Sequence, residues 1–156
     1  MVCTSFITCK NESVNKIEPV AQNQDLNKEV VLTVMQKHLD AITNRDLETL
    51  KSTLSPNGNM QLILPGTEII EQTSGFMEYH QEWFKAQNWT IDSKILNSEV
   101  GDTMAMVIVE SIYKEPERDG KPYFNRMHVS YVLQKVNDNW YVIKDHMASV
   151  QKSTDL

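Results

Sequence analysis

The sequence predicts an α+β domain in which helices cover one face of a curved antiparallel sheet. Apolar stripes with helical spacing fall in the first part of the chain, before Trp89. Three long apolar runs, Thr103–Lys114, Tyr123–Val136 and Trp140–Ser149, fill its end. A charged loop and a short polar turn separate those runs, as hairpin connections do. Helices gathered early and antiparallel strands gathered late give this class rather than an alternating α/β one.

Composition sets the frame. At 156 residues and 40% apolar, one domain with a single substantial core is expected. The net charge of −6 and the absence of any Lys/Arg cluster argue against nucleic acid as a partner, because such binding depends on neutralising phosphates. No run of eighteen apolar residues exists, so nothing reads as a membrane-spanning helix. The two cysteines, Cys3 and Cys9, both precede the domain, which leaves it without a thiol nucleophile, a disulfide or a cysteine metal site. Four histidines without His-x-His or His-x3-His spacing make no metal site either, and no cofactor is expected.

Residues 1–25 read as a tail or tether, 26–150 as the domain and 151–156 as a short C-terminal tail. Ser5-Phe6-Ile7-Thr8-Cys9 resembles the end of a bacterial lipoprotein signal, with Cys9 as the acylated residue. Thr8 and Phe6 depart from the usual residues, and no basic residue precedes Lys10, so the expected start lies upstream of Met1. On this reading the protein is extracytoplasmic and lipid-anchored. The alternative is an incidental cysteine in the tail of a cytoplasmic protein.

Asp25 is the expected N-cap of a first helix, Leu26–Asn44, whose stripe is Val31, Val34, Met35, His38, Leu39 and Ile42. A histidine in such a stripe is more often packed and bonded to a carbonyl than a ligand contact. A second helix, Asp46–Leu54, buries Leu47, Leu50 and Leu54 and stops at Ser55-Pro56-Asn57-Gly58. Asn59–Leu64 reads as a strand closed by Pro65-Gly66, and Thr67–Glu71 is too short to assign. Thr73 or Ser74 opens a third helix to about Gln87, with Phe76, Tyr79, His80, Trp83 and Phe84 on one stripe. Trp89–Asn97 alternates as a half-buried strand should. The run Thr103–Lys114 is apolar on both faces, so it is central or lies in an interface. Glu115–Pro122, with five charges in eight residues, reads as a solvated hairpin tip.

The last hairpin decides what any site contains. Side chains alternate along a strand, so adjacent Asp145 and His146 cannot act as a dyad. A three-residue loop, Asn137–Asn139, sets His146 opposite Ser130 and diagonal to His128. The other face then holds Met127, Val129, Tyr131, Leu133, Tyr141, Ile143 and Met147, interrupted by Lys135 and Asp145. A two- or four-residue loop exchanges the faces. The first register separates apolar from polar residues better and is the one preferred.

The order of elements, Gly101-Asp102 before a long apolar strand, and Trp140-Tyr-Val-Ile-Lys-Asp-His146-Met-Ala-Ser149 resemble the nuclear transport factor 2-like superfamily, and within it the SnoaL-like branch. The resemblance covers Leu26 to Val150. It departs in the Asn-Asp-Asn turn, where glycine is common, and in Ala148, which stands where the serine is usual. It implies a cone, a bent antiparallel sheet wrapped around three N-terminal helices, with a pocket at its open end and a homodimer packed through sheet faces. Its enzymatic members do acid–base work on small molecules, and many members only bind.

On that footing His146 and His128 are the candidate catalytic bases, with Glu110 and Asp92 as further proton carriers. Ser130, Tyr113, Tyr131 and Tyr79 are candidate donors, Arg126 a candidate partner for an acidic group, and Trp83 and His38 candidate pocket walls. Each has an ordinary reading too: the histidines and Ser130 as an interface cluster, Arg126 with Glu110 as a structural ion pair, the tyrosines as strand formers. No carboxylate is assigned to an otherwise apolar stripe, the mark of the isomerase type. The favoured function is therefore binding of a small, largely apolar molecule. The alternative is an isomerase, cyclase or dehydratase acting on an enolisable ketone.

Overall fold

The computed structural model describes residues 19–155; the lipidation reading at Cys9 falls outside them. Three helices, α1 (Pro19–Asn44), α2 (Leu47–Ser52) and α3 (Gln72–Trp83), pack on one six-stranded sheet. The strands are β1 (Gln61–Ile63), β2 (Ile69–Glu71), β3 (Thr90–Val100), β4 (Met104–Arg118), β5 (Lys121–Val136) and β6 (Asn139–Lys152), in the spatial order β2-β1-β6-β5-β4-β3. All pairs are antiparallel except β1 with β6, which is parallel. The sheet is therefore mixed at one point. The strand too short to assign from sequence is β2, and it forms the sheet edge beyond β1.

The first helix starts earlier than expected. It runs through Asp25, which caps nothing, back to Pro19, a residue suited to a first helical turn because its missing N–H would be unpaired there. Val31, Met35, Leu39 and Ile42 are buried as the stripe requires. The helix ends in a left-handed residue, Arg45 (φ 57°), and the Asp46 amide bonds back to the Ala41 carbonyl at 2.8 Å. Glycine would hold that conformation more cheaply. Here the arginine side chain is anchored instead: its guanidinium lies 3.8 Å over the Trp89 ring and donates to the Trp89 carbonyl. Asp46 then caps α2, its carboxylate accepting from the Thr49 amide at 2.9 Å.

The β5–β6 hairpin reaches the preferred register by an unexpected route. The turn has two residues, Asn137 (φ 48°) and Asp138 (φ 62°), with Val136 paired to Asn139. Two positive φ values in succession are what a tight hairpin turn of this hand demands, and Asn and Asp tolerate them. A bulge between Val132 and Leu133 on one strand and Val142 and Lys144 on the other then adds the missing residue, Ile143. Beyond it Ser130 faces His146, and Tyr131 faces Asp145. Trp140 and Val142 are inward before the bulge, Asp145 and Met147 after it, and Ile143 is buried at the crossover. Further irregularities at Ile95/Asn97, Glu115/Arg118 and Arg126/Met127 bend the long strands, curving the sheet around the helices.

Candidate functional site

A cavity of about 380 Å³ opens between α3, the inner face of β3–β6 and the segment after β1. Exposed Pro65 and Arg118 mark its rim, and half-buried Leu64, Trp83, Tyr113 and Tyr123 also line it. Ile42, Tyr79, His80, Ile91, Ser111, Asn125, Met127, Val129, Tyr131 and Met147 form its walls. The size suits a ligand of drug-like or smaller dimensions, and the lining is mainly apolar and aromatic with few polar groups.

The alternation of β4, β5 and β6 fixes which side chains reach it. Val107, Val109 and Ser111 on β4, Met127, Val129 and Tyr131 on β5, and Asp145 on β6 are all buried. Their neighbours point outward: Glu110 pairs across strands with His128, and Ser130 with His146. Of the residues read from sequence as site candidates, Tyr79, Trp83 and Tyr113 line the cavity, while His38 and Tyr131 pack together beneath it and along its wall. His128, His146, Ser130, Arg126 and Glu110 lie together on the opposite, outer face. There Arg126 Nη1 donates to Glu110 Oε2 at 3.2 Å, with His128 Nε2 at 3.9 Å from the same oxygen. The reason is the period of two: the polar stripe that attracted attention is the stripe turned to solvent. Asp92 is also exposed, bonded to Lys114 at 2.8 Å.

The interior holds a different set of ionisable groups. Asp145, His38 and His80 are each 0% exposed. Asp145 sits behind the cavity wall, between Tyr131 on β5 and Leu62 on β1 and one inward position from Met147. Neither of its carboxylate oxygens has a hydrogen-bond partner among the described residues. Burial alone pushes its pKa up to about 8, so the group is a neutral carboxylic acid at pH 7. Burial, and next the Asp145 charge, raise Tyr131 well above the ordinary phenol range and raise Tyr79 as well.

Hydrogen bonding fixes both buried histidine tautomers. His80 Nδ1 lies 2.8 Å from the Phe76 carbonyl, which can only accept, so Nδ1 carries the proton. His38 Nδ1 lies 2.7 Å from the Thr53 hydroxyl oxygen. That hydroxyl already donates to the Leu50 carbonyl at 2.6 Å, so it accepts from His38. In both rings Nε2 is a bare lone pair, and in both it is unpartnered. Burial drives the pKa down to about 3 for His38, aided by His80, and to about 4 for His80, so both are neutral bases. Rings in contact connect them: His38 to Tyr131 at 5.4 Å between centroids, Phe76 to His80 at 4.0 Å, and His80 to Tyr79 at 5.3 Å.

Sequence reasoning left Asp145, His80, Arg118 and Tyr123 out of the site. The signal for Asp145 was present, since the preferred register already set it on the apolar face. A carboxylate does stand in an otherwise apolar stripe. Arg118 and Tyr123 were hidden by the charge of the β4–β5 tip, read as solvated. The tip turns at Asp119 (φ 53°) and Gly120 (φ 79°), and the Glu115/Arg118 bulge brings Arg118 to the cavity.

Residues 31–151 match the SnoaL-like domain family. The chain belongs to that family. No curated protein sequence matches it. Among solved structures, a hexachlorocyclohexane dehydrochlorinase superposes with a TM-score of 0.73 at 9% identity, covering 85% of this chain and 91% of that one. A ketosteroid isomerase-like protein from Erwinia carotovora atroseptica gives 0.66 at 13% identity, covering 79% and 95%. The association domain of the Caenorhabditis elegans (C. elegans) calmodulin-dependent kinase II gives 0.62 at 21% identity, covering 81% and 98%. At these identities the likeness is one of fold: this SnoaL-like chain has the cone of the nuclear transport factor 2-like superfamily.

Proposed function

We propose that this SnoaL-like protein binds a small, largely apolar molecule in the cone. The observation that carries the reading is the cavity itself, about 380 Å³, walled by aromatic and apolar side chains, with His80, whose Nε2 is unpaired, among them. Trp83 lines the cavity, so occupancy should change tryptophan emission. Titration with naphthalene-sized apolar compounds is expected to give saturable quenching that Val129→Trp, which fills the cavity, abolishes. Emission unchanged by every such compound would remove the reading.

A second reading is favoured by one arrangement: His80, with its bare imidazole nitrogen, and the phenol Tyr79 both line the cavity, their rings 5.3 Å apart between centroids. With an enolisable ketone in the cavity, His80 Nε2 would take the α-proton while the Tyr79 O–H donates a hydrogen bond to the developing enolate oxygen. The electron pair of the C–H bond becomes the enolate. Return of the proton from His80 to carbon completes an exchange or an isomerisation. Deuterium exchange at the α-carbon should then vanish in His80→Gln and drop at least about a hundredfold in Tyr79→Phe. It should persist in His146→Ala and His128→Ala. Loss in the outer-face variants instead would return the chemistry to that face.

The proposal includes a homodimer through the outer sheet face, where Leu96, Met104 and Met106 are 48%, 42% and 45% exposed. Its test is sedimentation of the wild type against Met106→Glu. A monomeric wild type at micromolar concentration would rule the dimer out. Lipid anchoring at Cys9 is likewise a proposal, and an unmodified Cys9 in protein from the native host would end it.

A further inference from the structure

Arg118 is the one residue with a full charge among the described residues that line the cavity. It is held rather than loose. Its guanidinium lies 3.5 Å over the Tyr123 ring. Its Nε donates to Glu115 Oε2 at 2.9 Å, and Nη2 donates to Glu115 Oε1. The Tyr113 hydroxyl donates to that same Oε1 at 2.5 Å, which fixes the carboxylate from the other side. Glu115 is not itself a lining residue, so it grips the guanidinium from outside the cavity.

A guanidinium has five N–H donors, and Glu115 engages it through Nε and Nη2. The Nη1 amino group makes no hydrogen bond among the described residues and is left for an occupant of the cavity. Stacking on one face and clamping on one edge orient the group in advance, which lowers the ordering cost of using it. Deeper in the cone no second full charge competes among the described residues, since His80, His38 and Asp145 are neutral at pH 7.

We propose that Arg118 selects ligands by charge: the molecule bound in the cone carries an acidic group, a carboxylate or its equivalent, that meets Nη1 at the rim while its apolar body lies against Trp83, Tyr113 and Met127. This deepens the binding reading above and rests on it. Sequence reasoning gave the role to Arg126, which faces outward, bonded to Glu110.

The alternative role for Arg118 is a strut that stiffens the hairpin tip. Ligand charge separates the two. The probes are 2-naphthoate, its uncharged methyl ester and 2-naphthylmethylamine, titrated into the full chain by tryptophan quenching. Wild type is expected to bind the acid about tenfold or more tighter than the ester, with the amine weakest. Arg118→Met should erase the preference by weakening the acid far more than the ester, with the melting temperature nearly unchanged. Arg118→Lys should retain part of it. Glu115→Gln should strengthen acid binding severalfold by unmasking the guanidinium, and added salt should narrow the gap. Equal binding of acid and ester, a preference for the amine, or a preference that survives Arg118→Met overturns the proposal while leaving the binding reading in place. Failure of all three probes to bind removes both.

Discussion

The two faces of β5 and β6 share a backbone and differ in everything else. Outward are His128, Ser130, Lys144 and His146; inward are Met127, Val129, Tyr131, Asp145 and Met147. His146 and Asp145 are adjacent in the chain, yet one is solvated and the other is 0% exposed. Chemical potential to react follows from that difference more than from residue type. A solvated imidazole is held by little, whereas a buried acid without partners must stay protonated or lose solvation it cannot replace. What the comparison teaches is that a functional residue here is identified by the face it occupies.

The largest expected effect tests that contrast directly. Val129→Asp places an unpaired carboxylate in the inner layer and should cost about 3–5 kcal/mol or more, measured by urea unfolding. His146→Asp, a change of similar boldness on the outer face, should stay within about 1 kcal/mol. Comparable losses at the two positions would mean that both faces are covered and would break the distinction.

The next effect is a pH profile with two limbs. Asp145 has its pKa raised from about 3.8 to about 8, so its contribution to stability is fully present below the lower value and is lost as pH rises through the upper one. His38 and His80 have theirs lowered from 6.5 to about 3 and about 4. Their contribution is fully present above 6.5 and is lost as pH falls toward those lower values. Below pH 6.5 two histidines outweigh one carboxyl; above it only the carboxyl acts. Stability should therefore peak near neutrality, slightly on the acid side, with limbs on the order of a few kcal/mol. Asp145→Asn should flatten the alkaline limb and steepen the acid limb, where the carboxyl no longer opposes the two histidines. An alkaline limb that survives in that variant would show that a group other than Asp145 titrates there.

The smallest effect belongs to the rim. Arg118→Met should change stability by less than about 1 kcal/mol, since exposed ion pairs contribute little. A large thermal shift in that variant would make the clamp structural.

Much of this was legible in the sequence. The stripe of α1, the aromatic face of α3 and the pairing of Ser130 with His146 all follow from period and composition, because burial selects apolar residues wherever a face is covered. Three things were not legible. The parallel β1–β6 pair depends on a contact between Gln61–Ile63 and the far end of the chain, which local pattern does not carry. The bulge at Ile143 mimics a longer turn, so the preferred register came with the wrong loop length. Arg118 sits in a stretch whose charge says solvent, and only the tertiary bend of the tip turns it toward the cavity. For Asp145 the face was right and the chemistry was passed over, because an acid on an apolar stripe looks like an imperfection until both of its oxygens prove to be unpaired.

Ile143 carries a consequence of its own. Because this one surplus residue is taken up by the bulge, deleting it would let Val142 run straight to Lys144 in regular alternation, with Asp145 still inside the cone and His146 still outside. Straightening the strand with Ile143 retained in the ladder is what would exchange the acid for the base, so the equipment of the interior hangs on one backbone irregularity.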